Sequence, residues 1–494
     1  MIRDSRGCHG SAAGSDVGAT APPLCVACDG TLVRNNLVLE GMLQLTRRNF
    51  WYVARFIVWM FRGMAVLKSQ VARRTALAAS ALNYNGELVQ FLRSEHSAGR
   101  KLILVTGCPL DFAKVVADEL GLFSEVHAST PQTNLTPHRQ RELLCSRFGE
   151  RGYEYAGSRV RELTVWSTAV AAVLVGVRRA VARSVAKHTA ITRSFPRAAP
   201  QLTTYLRALR VHQWLKNLLV FVPLVVSHQV FSARLATASA IAFVSFSICA
   251  SSVYIWNDLL DMAADRMHPR KRLRPFAAGE LSVAQGVMLA AACLGAAVLL
   301  CSQLPRPFWW LLGTYLLTTS TYSLVLKNRP IVDVILLAGL YTIRLLAGSA
   351  ATAIYPSFWL LAFSMFIFLS LATAKRYAEL IVMTNAGTRA LHGRGYRADD
   401  LPLLMSIGTA NGFLAVLVLA LYVNSSEVAA LYRSPAILWL IPPLMLYWVS
   451  RVWLKTHRGE MHDDPIVFAV KDRPSLAVGL SLVAVLVAST LYSG

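Results

Sequence analysis

Charged residues are scarce in this sequence: they make up 16% of its 494 residues, while 55% are hydrophobic. That ratio excludes an ordinary soluble protein and requires membrane spans. Acids are scarcer than bases, 27 against 50, for a formal net charge of +23. The basic residues lie in loops between apolar runs, without aromatic stacking platforms. This excludes nucleic acid as a partner and favours a membrane surface and phosphorylated substrates. Residues 1–22 lack an apolar stretch and read as a disordered lead, not a signal peptide. The eight cysteines include one C-x-x-C, Cys25 to Cys28, with no second pair or histidine pair to complete a zinc site. In a strand these two thiols would face opposite ways. A reducing, cytoplasmic setting suits such cysteine usage better than a disulfide framework.

Short apolar runs do occur over residues 23–177, alternating with helical patterns, which predicts an α/β domain on a parallel sheet. Cys28-Asp29-Gly30-Thr31 closes the first run, and Thr106 ends the second. Thr133-Asn134-Leu135-Thr136 and Tyr155-Ala156-Gly157-Ser158 follow, with Glu162 beyond. This series resembles the haloacid dehalogenase (HAD) hydrolase superfamily, whose motifs are Asp-x-Asp-Gly-Thr, a Thr or Ser after a strand, a Lys, and a pair of acids. The resemblance implies a Rossmann-like parallel sheet with a helical cap. HAD chemistry uses the first Asp as nucleophile, the second as acid/base and the late acids on Mg²⁺. Here Ala27 stands at the nucleophile's position, Thr136 at the lysine's and Ser158 at the first late acid's. Asp29, Thr31 and Thr106 match, and Glu162 alone can stand for the second late acid. An alanine cannot attack phosphorus, so the expectation is a HAD fold without HAD catalysis.

Residues 47–62 are aromatic, with Arg48, Arg55 and Arg62 seven apart. Arg55 at the centre makes a poor span. The stretch reads as a cap helix, either on the membrane face or packed within the cap. Residues 178–200 carry Arg178, Arg179, Arg183, Lys187, Arg193 and Arg197 and read as a basic linker. Next to a membrane it would favour anionic lipid by roughly 1 kcal/mol per basic residue.

From residue 201 the chain reads as a membrane domain. Nine apolar runs are long enough to cross or nearly cross a bilayer: 215–231, 235–256, 283–304, 308–326, 331–352, 358–374, 403–423, 436–452 and 476–492. Loops after the even-numbered runs hold seventeen Lys and Arg; those after the first, third, fifth and seventh hold only Arg234, Arg306 and Arg433. By the positive-inside rule this alternation predicts a multi-pass protein of a bacterial-type inner (cell) membrane. The N-terminal domain and the even-numbered loops would then be cytoplasmic.

The loop after the second run opens on Asn257-Asp258-Leu259-Leu260-Asp261-Met262-Ala263-Ala264-Asp265. On one helix Asp258, Asp261 and Asp265 stand at i, i+3 and i+7, which shares a face. Three like charges there need a cation, and Mg²⁺ chelated by a diphosphate suits them. The plainer alternative is a solvated acidic helix end paired with the arginines that follow. Further polar candidates are Lys216 beside the anchor Trp214, Tyr322, Lys327, Asp333, and Lys375-Arg376-Tyr377 with Glu379. Arg344 lies inside the fifth run, where a charge must face a cavity or an ion pair.

Nine runs with Asn-Asp-x-x-Asp-x-x-x-Asp after the second resemble the UbiA superfamily of intramembrane prenyltransferases. His212–Asn217, Arg270–Gly279, Lys375–Leu380 and His462–Ala469 carry a finer resemblance to its decaprenyl-phosphate phosphoribosyltransferase branch. That branch implies Mg²⁺-dependent transfer of 5-phosphoribose from phosphoribosyl diphosphate to a polyprenyl phosphate. Carried over, Asp258, Asp261 and Asp265 would be the catalytic, metal-holding acids. Asn257, Lys216, Lys271, Arg274, Tyr322, Lys327, Lys375, Arg376 and Tyr377 would bind substrate. Aromatic prenyltransferases of the superfamily carry a second Asp-rich motif where this chain has Lys375 and Arg376, which weakens a prenyl-diphosphate reading. That reading and a non-catalytic transporter or scaffold stay open, as does a homo-oligomer.

Overall fold

The parallel sheet expected over residues 23–177 forms, and it continues past its expected end. In the computed structural model, residues 21–385, 395–425, 428, 432–461 and 464–491 are described. Most of the expected disordered lead therefore lies outside the described residues, as do Arg389, Arg394, His462 and Asp463. The chain divides into two compact units: Met1–Gln201 with Leu260–Val283, and Leu202–Leu259 with Ala284–Gly494.

The first unit runs β1 (Leu24–Val26), α1 (Leu37–Arg48), α2 (Tyr52–Phe61), α3 (Met64–Ala72), α4 (Gly86–Ser97), β2 (Leu102–Pro109), α5 (Leu110–Leu120) and β3 (Glu125–Ser129). It continues through α6 (Pro137–Phe148), β4 (Glu154–Gly157), α7 (Leu163–Trp166), β5 (Ala171–Val175), α8 (Arg179–Ala186) and β6 (Ala190–Phe195). All six strands are parallel, in the order β3-β2-β1-β4-β5-β6. β5 is Ala-Ala-Val-Leu-Val with every residue buried, as a strand covered on both faces requires. Leu24, Val26 and Cys28 enter one core and Cys25 and Ala27 the other, so the C-x-x-C thiols face opposite ways. Strand order reverses at β1, so the carboxyl ends of β1, β2 and β4 enclose the crevice where such sheets take ligands.

Two expectations change here. Residues 178–200 are not a linker: α8 and β6 occupy most of them, and β6 pairs with β5 along the sheet edge. Arginines hid this strand, because an edge strand keeps charged residues in solvent. Residues 47–62 are not one helix either. α1 ends at Arg48, and α2 starts at Tyr52 and buries only Phe56.

The second unit is helical. α9 (Leu202–Leu209) leads through the 3-10 segment Val211–Phe221 to α10 (Val222–Val226). α11 (Ala233–Leu260) ends where the first unit resumes with α12 (Met262–Met267). Then come α13 (Val283–Cys301), α14 (Arg306–Leu324), α15 (Val332–Thr352), α16 (Phe358–Asn385) and α17 (Leu401–Val423). Helices Ile441–His457, Pro465–Lys471 and Arg473–Leu491 complete it. Among the described residues seven helices are long and apolar enough to cross a membrane, or eight with the pair Leu202–Leu209 and Val211–Val226, bent by 50°. Nine were expected. The run at 308–326 does form helix α14, but Thr318-Thr319-Ser320-Thr321-Tyr322-Ser323 leaves it too polar to meet that standard.

Small residues let these helices approach. A Cβ on Gly348 would lie 1.9 Å from the Val220 carbonyl oxygen, and one on Gly408 would lie 2.0 Å from the Trp453 ring. Without a hydrophobic drive between helices in lipid, such close approach is what packs them.

Candidate functional site

In the membrane unit, three elements far apart in sequence bring polar groups onto one carboxylate. Lys216 of the Val211–Phe221 segment donates to Asp464 Oδ2 at 2.7 Å, and Lys375 of α16 donates to the same oxygen at 2.9 Å. Tyr341 of α15 adds its hydroxyl, 3.1 Å from Oδ1. Burial by itself would raise the Asp464 carboxyl, but the two ammoniums outweigh it and hold the acid well below its ordinary range.

Beside this group lies Arg344. It has no carboxylate in ion-pair reach among the described residues. Instead it donates to Asn217 Oδ1 at 2.8 Å and to the Leu340 carbonyl. Its guanidinium lies over the rings of Phe246, Tyr315 and Tyr341 at 5.5, 5.3 and 5.5 Å. Asn217 is held in turn by Ser247, to which it donates at 2.9 Å. Three cations and one acid make a cluster with excess positive charge, the electrostatics that an anionic headgroup matches.

A second network surrounds Arg376, which is 1% exposed. It pairs with Asp333, donates to Tyr322 at 2.7 Å and to Glu379 at 2.6 Å, and Tyr322 donates to Asp333 at 2.6 Å. Arg376 and Tyr322 therefore stand together, locked by acids. Tyr377 goes elsewhere: its hydroxyl meets His457 Nδ1 at 2.9 Å and its ring packs edge-on against Trp453. Lys327 is half-buried in the turn Leu326–Asn328.

The Asp-rich stretch is not one helix face. α11 stops at Leu260, and Asp261 stands at the N-cap position of α12 without a side-chain cap bond. Each acid meets a different arginine. Arg210 pairs with the buried Asp258, its Nε 3.3 Å from Oδ2. Arg47 lies 3.3 Å from Asp261, and Arg274 donates to Asp265 at 2.7 Å. Asn257 is half-buried on α11, and Lys271 is exposed. Among the described residues no three His, Cys, Asp or Glu side chains converge as a metal cage. The donor chemistry nonetheless fits a divalent ion. Mg²⁺ takes hard oxygens from one or two carboxylates and completes its shell with substrate phosphate and water, so it needs no prebuilt protein cage.

In the first unit, the HAD-like positions gather at the carboxyl ends of β1, β2 and β4 but are occupied with structural bonds. Asp29 accepts from the Leu37 amide at 3.1 Å and from Asn36 Nδ2 at 3.2 Å, capping α1. Thr31 donates to Ser158 at 3.0 Å, and Thr106 accepts from the Cys108 amide at 3.2 Å. Glu162 accepts from the Ser158 and Arg159 amides at 2.8 and 3.0 Å. Burial raises both Asp29 and Glu162, against the lowering effect of those amides and of Arg159. Thr136 begins α6 without a side-chain cap bond. A lysine does reach this crevice. Lys68 of α3 donates to the Gly107 carbonyl at 2.5 Å and to Asn134 Oδ1 at 2.8 Å.

Sequence reasoning missed Asp464, Tyr341, Arg210 and Lys68 as site groups. Two carried a signal: Asp464 lies within the His462–Ala469 stretch, and Arg210 heads the polar stretch that runs to Asn217.

Residues 218–471, more than half of the chain, match the UbiA prenyltransferase family. The chain belongs to that family. Residues 23–141 match the haloacid dehalogenase-like hydrolases, so this UbiA protein carries a HAD-like N-terminal domain. An uncharacterized protein of Sinorhizobium fredii, y4nM, is 32% identical over 459 residues, 92% of this chain and 89% of the relative. A decaprenyl-phosphate phosphoribosyltransferase of Corynebacterium glutamicum is 36% identical over 188 residues, 37% of this chain and 57% of its own. A solved UbiA homolog from Archaeoglobus fulgidus, bound to GPP and Mg²⁺, covers 57% of this chain and 99% of its own, with 18% identity and a TM-score of 0.43. Family and apolar helices together make the chain a multi-pass membrane transferase.

Proposed function

We propose that this UbiA protein transfers 5-phosphoribose from phosphoribosyl diphosphate to a polyprenyl phosphate and releases diphosphate. The observation that carries the reading is the convergence of Lys216, Lys375 and Tyr341 on Asp464, with Arg344 beside them. Two ammoniums and a phenol around one carboxylate suit a phosphate monoester, whose charge exceeds that of the acid it would displace. The match to the Corynebacterium glutamicum enzyme, by its name a decaprenyl-phosphate phosphoribosyltransferase, supports the same transferred group and class of acceptor.

Asp258, Asp261 and Asp265 would hold Mg²⁺, which when bound neutralises a diphosphate leaving group. Arg210, Arg47 and Arg274 balance those acids and would release them to the ion. Lys271, exposed in the same loop, would meet the donor's phosphates. Tyr322 and Arg376, held by Asp333, would offer further polar groups to substrate, as would Asn257 and Lys327. Tyr377, turned to His457, is set aside from substrate contact. The acceptor phosphate is itself a competent nucleophile, so no side chain need serve as base. The site would face the cytoplasm, as the loop charges predict. The HAD-like domain would lack phosphatase activity, because Ala27 supplies no nucleophile.

Membranes containing the protein should make labelled lipid from labelled phosphoribosyl diphosphate and polyprenyl phosphate. Product from a labelled prenyl diphosphate and an aromatic acceptor instead would replace this reading with aromatic prenyl transfer.

A further inference from the structure

The segment Leu260–Val283 is covalently part of the UbiA domain, yet it folds into the compact unit of the HAD-like domain. Its strongest tie is Arg266, which donates to Glu40 through both terminal nitrogens at 2.9 and 2.6 Å. Both side chains are buried, 6% and 1% exposed. A two-pronged guanidinium–carboxylate pair fixes orientation as well as distance. Other ties follow along the segment. Met262 is buried against Asn35, Asn83 donates to the Ala277 carbonyl at 2.7 Å, and Arg197 donates to the Gly279 carbonyl at 2.7 Å. Gly279 has φ +71°, and a Cβ there would lie 2.9 Å from Asn83 Nδ2, so the contact is close.

Glu40 sits in the first turn of α1. The start of that helix is held by Asp29, through the Leu37 amide and Asn36. Asp29 is the acid that HAD catalysis would have used. With Ala27 in place of the nucleophile, it accepts from the first amide and the N-cap side chain, Asn36, of a helix that presents Glu40. The chain of contacts thus runs from the HAD-like crevice, through α1, to Arg266, which follows Asp265 directly.

We infer that the HAD-like domain positions the transferase's Asp-rich loop, with Glu40 and Arg266 as the positioning pair. This rests on the assignment of Asp258, Asp261 and Asp265 to metal and diphosphate. Neither Glu40 nor Arg266 touches substrate; they set where Asp261 and Asp265 stand.

The test uses the full chain in nanodiscs and trypsin, which can cut at the exposed Arg270, Lys271 and Arg272. Mg²⁺ with inorganic diphosphate should slow that cutting in the wild type. In Glu40→Gln, cutting without ligand should speed up, and the Mg²⁺ needed for half-protection should rise about tenfold, the effect of weakening one charged bond. Asn83→Ala should shift both in the same direction by less, which keeps the test usable if Glu40→Gln does not accumulate. Where diphosphate release is measurable, its Mg²⁺ requirement should rise in parallel with little change in maximal rate. Wild-type cutting in both variants overturns the inference, and so does faster cutting with an unchanged Mg²⁺ requirement, since the pair would then only stabilise the fold. The reading of the substrates can fail separately: lack of transfer from phosphoribosyl diphosphate leaves the protection measurement intact.

Discussion

The two polar centres of this molecule differ in what their charged groups are bonded to. In the HAD-like domain, Glu162 accepts from two backbone amides, and Asp29 accepts from the Leu37 amide and the neutral side chain of Asn36. In the UbiA domain, Lys216 and Lys375 share the side chain of Asp464, and Asp258 shares the side chain of Arg210. A carboxylate held by amides cannot leave without unfolding a turn. A side-chain ion pair can exchange one partner for a ligand of like charge. The second arrangement is thus the better suited to exchanging a partner for a ligand, although both contain buried acids.

Substitutions that break this contrast should have the largest effect in the UbiA domain. Lys375→Ala and Asp258→Asn should each lower phosphoribosyl transfer about 10²–10³-fold, the cost of removing a group aimed at developing or transferred charge. Radiolabelled lipid product measures this, and near-wild-type transfer in either variant would remove that residue from the site. Next in size is packing. Gly348→Ala forces a methyl against the Val220 carbonyl and should cost about 1–3 kcal/mol, read as a lowered unfolding midpoint in detergent.

A smaller effect concerns pH. Burial, outweighing Arg159 and the Leu37 amide, raises the Asp29 carboxyl above its ordinary 3.8. The folded state therefore binds this proton more tightly than the unfolded state. The resulting stabilisation is complete below 3.8 and is lost as pH rises through the raised value. Asp29→Asn should flatten that part of the stability profile, from 3.8 up through the raised value. An unchanged slope would place the titration elsewhere. The smallest expectation is no effect: Ala27→Asp should not create phosphatase activity, because Thr136 and Ser158 still replace the lysine and the first late acid. Hydrolysis of p-nitrophenyl phosphate by that variant would show that the crevice keeps more of its chemistry than its bonds suggest.

Patterns spanning a few residues carried far. The continuous apolar runs of β2 and β5 announced a doubly covered parallel sheet, and long apolar runs announced most of the membrane helices. Patterns lost to local polarity did not carry. Arg193 in β6 and the basic residues around it disguised an edge strand, and the threonines of α14 lie within an apolar run long enough to suggest a span. The spacing of Asp258, Asp261 and Asp265 suggested a single helix face, but the helix breaks at Asp261, where periodicity gives no warning.

By itself the sequence determined the membrane class, the parallel-sheet domain and the absence of a nucleophile at Ala27, because each depends on local pattern or on one side chain's chemistry. Only the tertiary structure decided which base meets which acid. Lys216 and Asp464 are 248 residues apart, and Glu40 and Arg266 are 226 apart. A buried charge takes whatever partner the fold places within hydrogen-bond reach, and that choice leaves no periodic trace in the chain.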